Sequence, residues 1–244
     1  MQFTQRTAHP RAERTPGSGL ALLLGLGAFF LCGFAVTNMP QFLIGAALFA
    51  AVGLAGYGAD GKNKDRGKPL GTQLPLARLI GPALGTALCF SMPPIAVGSG
   101  ALWKYPMHET LTGLYHNVQP SALFPDFADD VISDYRFAYM PSIMQGTGHY
   151  AVRFVTDPAS LEGYIDTFLP YMEASCLLSE LGGDNRLPVS DTEEYTFWYD
   201  REFFAGCDDA GVIICEAGIN PNHPHSTALI ISRSTGKVQF SRLG

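Results

Sequence analysis

Two histidines in one loop are the residues whose types and spacing come nearest to a metal site. His223 and His225 stand two positions apart, and two imidazoles at this spacing in an extended loop could share one ion. A zinc site needs a third and a fourth ligand, and Glu216 or the Asp208–Asp209 pair could supply them only if the fold brought them near. We therefore keep His223 and His225 as candidate ligands, with a solvated loop as the alternative, and expect neither a metal nor another cofactor.

A serine–histidine hydrolase is the second chemistry that the residue types allow. Ser142 lies upstream of His149, but no Gly-x-Ser-x-Gly elbow surrounds it, since Pro141 and Ile143 flank the serine. A histidine at the start of a predicted strand is more often a hydrogen-bonded structural residue. We expect no catalytic residues and no enzyme, and the alternative is a hydrolase built on His149 or on the 223–225 loop.

Three cysteines after residue 104 raise the question of a disulfide. Such bridges form where the compartment is oxidising. The chain has no Cys-x-x-Cys motif, which argues against thiol–disulfide exchange as an activity. Cys207 and Cys215 are out of register in a hairpin that turns at 208–211, so the bridge that the pattern allows is one from Cys176 to either Cys207 or Cys215, with three free thiols as the alternative.

Aromatic and acidic residues near the end of the chain favour a binding surface. The aromatic side chains of one predicted strand are Tyr195, Phe197, Trp198, Tyr199, Phe203 and Phe204. Aromatic anchors carry a large share of the binding energy at interfaces. We expect Trp198, Tyr199, Asp208 and Asp209 to contact a protein partner, with burial of the aromatic rings between sheet and helices as the alternative.

Charge divides the chain into two parts. Eight basic and three acidic residues give residues 1–103 a net charge of +5, whereas eight basic and nineteen acidic residues give residues 104–244 a net charge of −11. Nucleic-acid binding demands basic patches, so the acidic part is not expected to bind nucleic acid. A basic protein partner or a cation suits it better.

Three apolar segments occupy the first part of the chain. They run over about 20–36, 42–58 and 79–103, and none contains a charged residue. A bilayer core of about 30 Å is crossed by roughly 20 apolar residues in a helix. We therefore predict a basic leader at 1–19 and a membrane anchor at 20–103, made of three transmembrane helices in contact with lipid.

Basic residues in the flanking loops predict the orientation of such an anchor. Lysines and arginines favour the cytoplasmic side, and they are concentrated in the leader and in the loop 58–78. An even number of spans separates these two segments, so both can face the cytoplasm. This arrangement predicts a multi-pass protein of the bacterial inner membrane, with residues 104–244 in the periplasm.

Residues 104–244 are long enough to form one α+β domain. Asp157 and Pro158 are typical of a helix start, and alternating apolar residues indicate strands in antiparallel hairpins. The expected domain has about two helices on a mostly antiparallel sheet of about six strands. The helices are predicted at 120–133 and, with an interruption at Pro170, at 157–182; the strands are predicted at 135–139, 150–154, 195–204, 212–215, 227–231 and 237–242.

The function expected from these features is binding of a protein partner outside the cytoplasm. The concrete expectation is an immunity protein that neutralises an envelope-targeted, secreted bacterial toxin. It rests on architecture and transfers no residue roles. The alternatives are an accessory subunit of an envelope complex and a membrane-anchored hydrolase or metal-binding domain.

Overall fold

The structure, a computed structural model, describes the backbone in eight ranges: 17–65, 74–91, 96–114, 118–142, 146–181, 185–191, 193–219 and 224–244. Within the helices, the side chains of residues 17–21, 56–65 and 74–78 are outside the description. The described residues form two compact units. Unit 1 comprises those within 1–32 and 42–89, and unit 2 comprises those within 33–41 and 90–244.

Unit 1 is helical. Its helices are α1 (Gly17–Thr37, whose last residues belong to unit 2), α2 (Pro40–Asp65) and α3 (Leu74–Phe90). The Phe30 ring on α1 stacks on Phe49 of α2 with centroids 5.4 Å apart. Gly45 allows this close approach, because a Cβ there would lie 3.0 Å from the Phe30 ring and 3.2 Å from a methyl group of Thr86.

The prediction of three transmembrane helices is wrong. Among the described residues, no helix has the length and apolar character that crossing a membrane requires. The third predicted span is divided, because α3 ends at Phe90 after 17 residues and Val97–Ser99 form a strand instead. The predicted loop 58–78 is helical at both ends, where α2 continues to Asp65 and α3 begins at Leu74.

The location predicted from those spans is corrected for the same reason. Without helices that qualify as spans among the described residues, a multi-pass inner-membrane protein with a cytoplasmic N-terminus and a periplasmic domain is not supported. Most of the predicted leader 1–19 lies outside the described residues, which begin at residue 17.

Unit 2 is built on a seven-stranded antiparallel sheet. The strands of the sheet are β1 (Val97–Ser99), β2 (Ser133–Met140), β3 (His149–Val155), β4 (Met172–Leu177), β7 (Gly211–Gly218), β8 (His225–Ser232) and β9 (Lys237–Leu243). They lie side by side in the order β1-β2-β3-β9-β8-β7-β4. A separate hairpin is formed by β5 (Arg186–Pro188) and β6 (Glu194–Thr196), and the α-helices are α4 (Tyr105–Gly113) and α5 (Pro158–Phe168).

One face of the sheet, here called the helix face, is covered by α4, α5 and residues 118–130. Tyr150 and Phe154 alternate along β3 with residues that point to the other face, and both are fully buried. The Phe240 ring of β9 lies between Phe154, at 6.1 Å, and Tyr164 of α5, at 5.1 Å. The aromatic side chains whose alternation predicts the strands therefore pack together as the core on the helix face.

The opposite face, here called the loop face, is covered by described residues from 178–181 and 193–210. Four small residues form a row across β2, β3, β9 and β8 in the cross-strand register, and they are Ala138, Ala151, Ser241 and Ala228. The chain at Trp198 and Asp200 lies close to this row because the Gln239 side chain bonds both: its amide oxygen accepts from the Asp200 N–H at 2.9 Å, and its nitrogen donates to the Trp198 carbonyl at 3.2 Å.

The turn between α1 and α2 belongs to unit 2 and is held by two buried polar side chains. The Lys104 ammonium donates to the Ala35 carbonyl at 2.6 Å and to the Asn38 side-chain oxygen at 3.0 Å. The His108 ring bonds the Thr37 carbonyl at 2.8 Å. Both side chains thus have a partner, which offsets part of the cost of burying them, although Nδ1 of the His108 ring is buried without one among the described residues.

Several predicted elements are confirmed and others are wrong. The hairpins at 135–154 and 227–242 and the helix start at Asp157 are confirmed. The helix at 120–133 is reduced to one turn at 128–130, because Pro125 interrupts it and the apolar residues pack on the helix face as a loop. The strand at 195–204 ends at Thr196, since the rings that follow cover the loop face.

Candidate functional site

The histidine pair offers no metal centre in the part of the chain that the structure describes. His223 lies outside the described residues, whereas His225 begins β8 and packs against Gly218, where an added Cβ would lie 2.0 Å from its ring. No group of three or more histidine, cysteine or carboxylate side chains that could hold a metal ion is found within the described ranges.

The side chains of the serine–histidine hypothesis are engaged with other groups. The Ser142 hydroxyl donates to the Gly146 carbonyl at 2.7 Å. The His149 ring stacks on Trp198, with centroids 4.1 Å apart and an angle of 5° between the planes. Desolvation lowers the pKa of His149 to about 4, so the ring is neutral at pH 7.

The four residues predicted to bind a partner have different surroundings. Trp198 is half-buried against His149, and Tyr199 is half-buried with its ring 5.8 Å from that of Phe197. Asp208 and Asp209 are both exposed, and the Asp209 carboxylate accepts bonds from the β8–β9 hairpin. Their role as a binding surface stays a prediction.

The cysteines of unit 2 are free thiols in this structure. Cys176 packs with the loop-face core, whereas the Cys215 thiol points to the helix face and donates to the Phe168 carbonyl at 3.6 Å. A bridge between these two would have to pass through the sheet. Cys207, which is half-buried, lies 3.5 Å from the Lys237 ammonium.

A polar network at Glu216 fixes residues 118–122 to the sheet. Glu216 interrupts β7 in a left-handed conformation, with φ of 49°. Its carboxylate accepts from Ser121 at 2.8 Å, Thr227 at 2.7 Å and Arg242 at 2.8 Å. Desolvation opposes ionisation, but these hydrogen bonds and the Arg242 charge hold the pKa of Glu216 below its ordinary value. The bond from Ser121 to this network therefore holds residues 118–122 against the sheet.

The two outer strands of the sheet differ in how they are protected. The outer strand β1 has three residues, and the Asn38 side chain donates to the Gly98 carbonyl at 2.8 Å. The other outer strand, β4, has six residues, and among the described residues its one strand neighbour is β7. Proteins usually shorten or cover such edges, because unpaired backbone groups bind other strands. The β1 edge follows this rule, whereas β4 is longer and, among the described residues, has a side chain on its outward N–H groups only at Leu177.

The register of β4 shows which of its backbone groups face away from the sheet. The Leu178 N–H donates to the Ala210 carbonyl at 2.8 Å, and the same register pairs Cys176 with Val212. Bonded and non-bonded pairs alternate in an antiparallel ladder, so the N–H and C=O groups of Ser175 and Leu177 point outward. In agreement with this register, the outward Leu177 N–H donates to the side-chain carboxylate of Glu180, which lies just after the end of β4, at 3.1 Å.

The surroundings of this edge are apolar and acidic. Large apolar side chains are exposed at Tyr171 (57%), Met172 (44%) and Leu177 (43%). The Tyr195 hydroxyl bonds the Glu173 carboxylate, and desolvation, this bond and the charge of nearby Glu193 raise the pKa of Tyr195. Exposed carboxylates therefore stand beside an open row of backbone groups.

The predicted helix at 157–182 is wrong beyond Phe168, because Met172–Leu177 form β4 instead. One signal could have revealed the strand: after Pro170, Met172, Ala174 and Cys176 alternate with Glu173 and Ser175, which is the period of two that strands show. The pairing of β4 with β7 is long-range, so no local pattern predicts that the strand lies at an edge.

Comparison of the chain with family models, with curated proteins and with solved structures finds no match.

Proposed function

We propose that unit 2 is a protein-binding domain that accepts an extended segment of a partner as an additional strand beside β4. The observation that carries the proposal is the contrast between the two sheet edges: β1 is short and its Gly98 carbonyl is bonded to Asn38, whereas β4 presents outward backbone groups at Ser175 and Leu177. Strand addition derives affinity from main-chain hydrogen bonds and specificity from the side chains on either side.

The partner segment is expected to carry basic and apolar side chains. Residues 104–244 have a net charge of −11, and Glu173, Glu180 and Glu193 are exposed around the edge. Complementary charge speeds association and selects partners more than it adds affinity. Tyr171, Met172 and Leu177 offer the apolar surface against which such a segment can pack.

An immunity protein with a bacterial toxin as its partner is the concrete form of this proposal. It is supported by the acidic charge and by an edge suited to a protein segment. An accessory subunit that docks a strand of a larger complex would use the same edge, and a toxin competition assay separates the two. Deletion of the gene sensitises cells to a sibling toxin only in the first case.

The experiment is a selection of displayed extended peptides on the full chain, repeated with Ser175→Pro and with Ser175→Ala as the matched control. Proline removes the outward N–H and obstructs the edge, whereas alanine keeps the N–H. Because the Ser175 amide faces away from β7, proline at this edge position removes no bond of the ladder.

We expect the wild-type chain and Ser175→Ala to retain the same peptides, enriched in lysine and arginine, and Ser175→Pro to retain none of them. Equal melting temperatures of the two variants show that the proline variant is folded. Peptides that bind a folded Ser175→Pro variant as tightly as the wild type would show that the β4 edge is not the binding site.

A further inference from the structure

The open edge of β4 is closed at one end by a side chain of the same chain. The Glu180 carboxylate accepts from the outward N–H of Leu177 at 3.1 Å, in the place where the carbonyl of an added strand would bond. Glu180 follows β4 in a short helical turn, Leu178–Leu181, and is exposed. The geometry thus puts a resident acceptor in competition with a docking strand.

We propose that Glu180 is a gate that determines which strands the β4 edge accepts, an inference that rests on the proposed function. A docking strand takes the Leu177 N–H only after the carboxylate leaves it. Because Glu180 is exposed, water hydrates the displaced carboxylate beside a neutral strand, whereas a lysine or arginine on the docking strand replaces the lost bond with a stronger, charge-assisted one. The gate therefore admits basic strands and disfavours neutral ones.

The neighbouring carboxylates do not share this position. Glu173 accepts from the Ala217 N–H at 3.1 Å, which belongs to the irregular end of β7 rather than to the outward edge of β4. Glu193 is exposed on the turn between β5 and β6, where it accepts from the Val189 and Ser190 amides through its backbone carbonyl. Replacement of Glu193 removes a similar charge close to the edge without freeing the Leu177 N–H, which makes it the matched control.

The test compares two synthetic six-residue peptides of alternating threonine and valine, one with a central lysine and one with glutamine in its place. Their affinities are measured by fluorescence anisotropy for the full chain and for Glu180→Ala, Glu180→Gln, Glu193→Ala and Ser175→Pro. The alanine variant opens the gate, and the glutamine variant keeps an acceptor without the charge.

We expect the wild type and Glu193→Ala to prefer the lysine peptide. Glu180→Ala should bind the glutamine peptide about three- to tenfold more tightly than the wild type does, the range that one net hydrogen bond is worth. The same variant should lose the preference for lysine. Glu180→Gln should lose the preference without the gain in affinity.

The outcomes separate the gate from the edge itself. If Ser175→Pro abolishes binding but Glu180→Ala binds both peptides as the wild type does, the gate is wrong and the edge stands. If Glu193→Ala loses the preference as completely as Glu180→Ala does, general charge selects the strand and the gate is again wrong. If no variant binds either peptide, Glu180→Ala included, the proposed function fails and the gate fails with it.

Discussion

The Asp209 carboxylate shows how one exposed residue can stabilise a hairpin. It accepts from the hydroxyl groups of Ser232 and Ser234 at 2.7 and 2.8 Å and from the Ser234 N–H at 2.8 Å. These bonds lower its pKa from 3.8 to about 2. The stabilisation is complete above pH 3.8 and is lost as the pH falls through 2.

Asp209→Ala is therefore expected to lower the melting temperature at pH 7, because three donors at the β8–β9 turn lose their acceptor. Asp208→Ala is the matched control, since the neighbouring carboxylate is exposed and makes no bond to the hairpin in the described structure. Thermal unfolding of both variants, followed by circular dichroism, checks the difference. Equal melting temperatures would show that the hairpin does not depend on this side chain.

His149 predicts a pH dependence of stability. Desolvation lowers its pKa from 6.5 to about 4, so the folded chain holds the ring neutral while the unfolded chain takes up a proton below pH 6.5. The free energy of unfolding should fall as the pH decreases from 6.5 to 4, by an amount on the order of 2 kcal/mol.

His149→Phe keeps a flat ring against Trp198 and removes the titration. Urea unfolding at pH 7 and pH 4.5 should show a smaller loss of stability for this variant than for the wild type. The buried His108, whose pKa is lowered by desolvation, titrates in the same direction and leaves part of the loss. An identical loss in both proteins would mean that His149 is not protonated upon unfolding.

At the scale of elements, α5 shows where local sequence is sufficient. Asp157 caps the helix by accepting from the Ala159 N–H at 2.8 Å and the Ser160 N–H at 3.1 Å, as its position before Pro158 predicts.

Asp157→Ala should lower the melting temperature of the full chain, because this cap is lost. Asp166→Ala, at an exposed position within the same helix, should not. Equal effects of the two substitutions would contradict the cap.

Elements that depend on long-range contacts could not be predicted in this way. The residues of β4 follow α5 and have enough apolar character to continue a helix, yet Pro170 ends that helix and β7, about forty residues away, pairs with them as a strand. The third apolar segment failed for a related reason. Residues Val97–Ser99 belong to an uncharged stretch and are therefore included in the predicted span, whereas their pairing with β2 makes them a strand.

For the whole molecule, the candidate site follows from the order of the strands. The acidic charge and the aromatic residues are evident from the sequence. The sequence does not show that Trp198 stacks on His149, that Asp209 bonds the β8–β9 hairpin, or that Ser175 and Leu177 present outward backbone groups. Which strand lies at an edge of the sheet is decided only when all the strands have paired. Composition can therefore predict that the domain suits a basic partner, but it cannot predict where that partner docks.

Amide hydrogen exchange of the full chain, with and without a saturating basic strand peptide, shows directly whether a strand docks beside β4. Ser175 and Leu177 have outward amides, whereas the amides of Ala174 and Cys176 face β7 in the same register. We expect the peptide to slow exchange at Ser175 and Leu177 and to leave Ala174 and Cys176 nearly unchanged. Saturated binding with unchanged exchange at Ser175, or with new protection around Trp198 instead, would contradict docking beside β4.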